Sequence, residues 1–117
     1  MWKISSGLCL TLLCAGLLFN SCTSGSDASK PEVKRNPVSH HVEIKNMKFQ
    51  PEVLFAHIGD TVIFTNNDIV PHDVTEINKA WTSSELPAGK SWRFVVTKSA
   101  NYYCSIHQVM KGKIIAE

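Results

Sequence analysis

From position 39 to the end of the chain, apolar residues come in short stretches broken by turn residues, and no segment carries a sustained apolar stripe at the helical period. Val42 and Ile44 alternate with polar neighbours. Apolar runs follow at 53–58, at 61–65 behind the Gly59-Asp60 turn, at 74–77, at 92–96 behind Gly89, at 102–104 and at 113–116. Val, Ile, Phe, Tyr and Thr recur in these stretches, and their spacing predicts strands packed as an all-β sandwich. Residues 78–88, with Trp81, Pro87 and several polar side chains, read as an irregular connection with room for a short strand or a turn.

The residues ahead of this pattern divide in two. Met1-Trp2-Lys3 supplies a positive charge, 8–19 is an apolar run, and Asn20-Ser21-Cys22 follows with a small residue before the cysteine, which is the order of an export signal. The run is too short to cross a hydrocarbon layer of about 30 Å as a permanent helix. Leu18-Phe19-Asn20-Ser21-Cys22 resembles a bacterial lipoprotein processing box, although Phe19 and Asn20 depart from its commonest form. Residues 1–22 are therefore expected to be a lipoprotein-type signal ending at a lipidated Cys22, with ordinary signal cleavage nearby as the alternative. Cys14 is a poorer site, because Leu13 precedes it. Residues 23–38, rich in Ser, Lys and Pro and without periodicity, are expected to be a flexible linker to a folded domain at 39–117. The expected location is the bacterial periplasm or cell envelope, with the chain lipid-anchored to a membrane.

A chain of 117 residues buries one hydrophobic core and little more, which excludes a multidomain enzyme. Over 39–117 eight Lys or Arg balance eight Asp or Glu, which argues against a nucleic-acid surface. Of the cysteines, Cys9 and Cys14 leave with the signal and Cys22 carries lipid, so Cys104 has no intramolecular disulfide partner. A lone thiol in an oxidising compartment is a liability unless it is buried, catalytic or bound to a metal.

In Cys104-Ser105-Ile106-His107-Gln108-Val109-Met110 a thiolate, an imidazole and a thioether recur at three-residue spacing just after a predicted strand. His72, 32 residues upstream of Cys104, lies between two predicted strands, where a sandwich can bring it to the same end. Two nitrogens, one thiolate and a weak thioether describe a trigonal His2Cys site with a long axial Met, which favours copper in an electron-transfer role. Zinc usually takes a stronger fourth ligand. Cys104 alone would read as an inert core cysteine, Met110 as a core gap-filler and His72 as a satisfied polar residue near a turn; the set, not any member, carries the metal reading. His40, His41 and His57 have no partner at ligand spacing and read as solvated or strand-edge residues. Trp81, Trp92, Phe49, Phe55, Phe64, Phe94, Tyr102 and Tyr103 read as packing.

The segments IGDTVIFTNNDIVPHDV at 58–74 and NYYCSIHQVMKGKII at 101–115 resemble the cupredoxin family, and the spacing Cys-x2-His-x2-Met is similar to the amicyanin branch of it. The resemblance covers nearly all of 39–117 and implies a Greek-key β-sandwich of about seven to eight strands. It implies one type 1 copper ion held by His72, Cys104 and His107 as strong ligands and Met110 as the weak axial one. It also implies electron exchange with redox proteins that dock near a partly exposed His107, with Val109 and Pro71 among the apolar residues around it. The expected partner interface is small and transient, as in redox encounters, and the chain itself is expected to be a monomer, not an enzyme. Asp73 stands where many relatives have Asn; it can accept a backbone hydrogen bond from the Cys104 loop, where Ser105 follows the cysteine, and its carboxylate should lower the potential. Ile106 replaces a frequent Pro, and Ser99-Ala100 a frequent Pro-Gly. Copper storage or delivery through the same pocket is the alternative function. A copper oxidase or reductase needs further copper sites, and a Cys-His hydrolase lacks an orienting third group.

Overall fold

The computed structural model describes residues 34–117; the expected signal, Cys22 and most of the expected linker lie outside them. Eight strands follow in chain order: β1 (Ser39–Lys45), β2 (Lys48–Gln50), β3 (Val53–Ala56), β4 (Thr61–Asn66), β5 (Thr75–Glu76), β6 (Ser91–Val95), β7 (Ala100–Tyr103) and β8 (Lys111–Ala116). Alternation decides which face each strand buries. In β4, Val62, Phe64 and Asn66 are buried while Thr61, Ile63 and Thr65 are half-exposed; in β1, Val42 and Ile44 point inward. One sheet has the order β2-β1-β4-β6 and the other β3-β8-β7-β5. This is the expected all-β sandwich, with β1 parallel to β4 and β3 parallel to β8.

The two inner faces meet over an aromatic centre. Tyr102 stands edge-on to Phe49 and Phe64, with ring centroids 4.9 and 5.3 Å apart, geometry that aromatic quadrupoles favour. Trp81, from the irregular connection, packs on Phe94 at 4.4 Å and closes the core from that side. The same connection is held by short bridges, His72 to Leu86 and Thr75 to Thr82. The Lys48–Gln50 strand escaped the pattern analysis because it has a single inward residue, Phe49. It is placed by the two-residue turn at Asn46 and Met47, both with positive φ (53° and 60°), as tight hairpins require.

The folded unit begins at Lys34, so it takes in the last residues of the stretch expected to be linker. Asp60, almost wholly buried beside Gly59, accepts hydrogen bonds from Arg35 Nη2, the Val38 and His57 backbone N–H groups, and His40 Nε2. His40 thus has a carboxylate partner that sequence spacing did not show. These donors hold the Asp60 carboxyl far below the usual carboxylate range, His40 contributing most and Val38 next. Asp60 immediately precedes β4 and Asn66 ends it, so this clasp lies at the opposite end of the strand from the 66–72 loop.

Candidate metal centre

Two loops at one end of the sandwich supply the donors. The first runs from the end of β4 to His72 and is organised by Asn66, which is fully buried. Its amide Nδ2 donates to Val70 O and Leu86 O, and its Oδ1 accepts from the Asp68 backbone N–H. His72 is then fixed by paired backbone bonds with Leu86. The second loop leaves β7 at Cys104 and enters β8 after Met110. It is closed on itself: Cys104 N–H donates to Met110 O at 3.1 Å and Met110 N–H to His107 O at 3.0 Å.

These loops bring His72 Nδ1, Cys104 Sγ and His107 Nδ1 into one triangle. The edges are 3.2 Å between the two imidazole nitrogens, 3.8 Å from Cys104 to His72 and 3.9 Å from Cys104 to His107. The point equidistant from all three atoms lies about 2.1 Å from each, within the range of metal–imidazole and metal–thiolate bonds. Three electron-rich atoms this close repel unless a cation or proton sits among them, so the donor set fits a metal ion. His72 and Cys104 are fully buried, His107 is half-buried, and Met110 is buried below the same loop. Among the described residues, no other group of three His, Cys, Asp or Glu side chains converges in this way.

Asp73 ties the two loops together. Its Oδ1 accepts from the Ser105 backbone N–H at 2.7 Å and from Thr75 Oγ1 at 3.1 Å, and its Oδ2 accepts from the Ser105 hydroxyl. Its own backbone N–H donates to Cys104 Sγ at 3.4 Å. A thiolate therefore faces one amide dipole on one side while a carboxylate lies just behind the loop.

Sequence reasoning passed over two residues here, Asn66 and Asp68. Asp68 Oδ2 accepts from His72 Nε2 at 2.8 Å. The only signal was an Asp four residues before the His, in Asp68-Ile69-Val70-Pro71-His72, which means little outside a defined loop. On the two loops Ile69 and Val109 are almost fully exposed and Val70 and Ile106 are partly so, as is Met47 in the β1–β2 turn.

The profile of the Cupredoxin-like domain family matches residues 10–116. Amicyanin of Paracoccus denitrificans is 28% identical over 98% of this chain and 96% of its own length. Among solved structures, a purple cupredoxin from Nitrosopumilus maritimus superposes with a TM-score of 0.61 at 24% identity, covering 67% of this chain and 99% of that one. A Cu-containing nitrite reductase from Thermus scotoductus superposes with a TM-score of 0.64 at 30% identity over 71% of this chain, which spans only 23% of the reductase. Fold, donor triangle and family profile agree, and the chain belongs to the cupredoxin-like family.

Proposed function

We propose that this protein is a type 1 copper electron carrier, with His72, Cys104 and His107 as strong ligands and Met110 as the weak axial one. The observation that carries the reading is the buried triangle of two imidazole nitrogens and a thiolate at metal-bonding spacing. When bound, copper supplies a one-electron couple whose two oxidation states both tolerate this mixed nitrogen and sulfur set.

The remaining chemistry belongs to the chain. Burial of His72 and Cys104 excludes water from the donors. The Cys104–Met110 backbone bond and the Asp73–Ser105 bonds hold both loops in one geometry, so that little rearrangement accompanies a change of charge. His107 offers the route to the surface, and the exposed Ile69, Pro71, Ile106 and Val109 of the two loops suit brief apolar docking with redox proteins, without the large area of a permanent complex. Lipidation of Cys22 would keep the domain at a membrane of the cell envelope while the intervening residues allow it to reach donor and acceptor in turn, the domain itself acting as a monomer.

Addition of Cu(II) to the purified protein is expected to produce an intense blue or green absorption that Cys104→Ser abolishes. A colourless wild-type protein would overturn the proposal. Reversible one-electron reduction with fast self-exchange separates the carrier from a copper store, which would bind the ion without ready turnover.

A further inference from the structure

We infer that Asp68 is the positioning residue for the metal centre: its carboxylate selects the ring tautomer of His72 and couples that ligand to the β1–β2 turn. This rests on the copper reading above. Both oxygens of Asp68 are engaged. Oδ1 accepts from the Asn46 N–H at 2.7 Å, while Oδ2 accepts from the Met47 N–H at 3.0 Å and lies 2.8 Å from His72 Nε2. The backbone of Asp68 is itself pinned by Asn66. One side chain thus joins the hairpin turn to the loop after β4 and to the ligand that ends that loop, His72.

The tautomer follows from donor and acceptor counting. An ionised carboxylate only accepts, so the His72 ring must present its N–H at Nε2, and Nδ1 is left with a lone pair. That lone pair is the one aimed into the triangle with Cys104 and His107. The His72 side chain is fully buried, so water cannot replace Asp68 in this role. The N–H groups of Asn46 and Met47 converge on the carboxylate from the other side, which stops it swinging away from the ring. A negative charge hydrogen-bonded to a ligating imidazole makes it a better donor, which favours Cu(II) over Cu(I).

The test uses metal-free and copper-loaded protein with Asp68→Asn, Asp68→Glu and Asp68→Ala. In the metal-free wild type, nitrogen-15 NMR of His72 is expected to show the Nε2–H tautomer alone, and in Asp68→Ala a mixture of both. Asp68→Asn keeps an acceptor but loses the charge; it is expected to retain the tautomer and to shift the ratio of Cu(II) to Cu(I) affinity toward Cu(I) by about tenfold or more. Asp68→Glu should hold that ratio closer to wild type than Asp68→Asn does. An unchanged tautomer in Asp68→Ala overturns the inference. So does an equal loss of affinity for both ions in Asp68→Asn, which would indicate general loosening of the loop. If the wild type takes up no copper, the carrier proposal fails while the tautomer measurement still decides the role of Asp68.

Discussion

Asp73 shows how one atom type can change a site without changing its shape. An Asn there would still accept the Ser105 N–H and the Thr75 hydroxyl through its amide oxygen, and the Ser105 hydroxyl can rotate to accept from its NH2. Only the charge would go. Asp73→Asn is therefore expected to leave the fold intact and to raise the reduction potential, by an amount on the order of 1 kcal/mol per electron. Redox titration of the purified domain checks this. Tyr102 presents the opposite case, a polar atom without a partner. Its hydroxyl is buried with no hydrogen-bond partner among the described residues, and burial, reinforced by the Glu52 carboxylate, pushes its ionisation above the ordinary phenol value. Leaving such a group unsatisfied costs about 1–3 kcal/mol, so Tyr102→Phe should be neutral or stabilising. A fall in melting temperature in Tyr102→Phe would mean that the hydroxyl is satisfied in solution.

At the scale of elements, β7 and β8 form a hairpin whose connecting loop opens with Cys104 and closes with Met110. Their register places Tyr102 opposite Gly112. A Cβ added at Gly112 would lie 2.4 Å from the Tyr102 ring, so the glycine is what lets this large side chain fold back over its own sheet. Gly112→Ala must displace the ring or part the strands, and overpacking of this kind costs about 1–3 kcal/mol. Chemical denaturation should show that loss. Because Gly112 lies two residues after Met110, the copper absorption band of Gly112→Ala should also broaden or shift, which a substitution remote from the hairpin would not produce.

At the scale of the whole molecule, two polar clusters sit at opposite ends of β4. One is the metal centre. The other is Asp60 with Arg35, Val38, His40 and His57, which fastens the start of the folded unit to the β3–β4 turn. The folded protein holds Asp60 ionised far below the unfolded value of about 3.9, so its contribution to stability is complete above that value and disappears as pH falls through the folded one. Melting temperature should accordingly drop steeply below about pH 4 in the wild type, whereas Asp60→Asn should start lower at neutral pH and lose less on acidification. An unchanged acid profile in Asp60→Asn would show that other carboxylates control it. The sequence by itself determined where most strands lie along the chain, the alternation of Val42 and Ile44 in β1, and the spacing of the donors in the Cys104–Met110 loop, because alternation and short-range spacing are local properties of a chain. It also made His72 a candidate, by its place between two predicted strands and by the resemblance. What the tertiary structure alone decided is which side chains meet across long separations. Asp68 reaches the Asn46–Met47 turn, Asp73 reaches Ser105, and Asp60 gathers donors from both sides of the β3 strand. A carboxylate finds its donors by position in space, and nothing in the run of residues around it states where those donors will be.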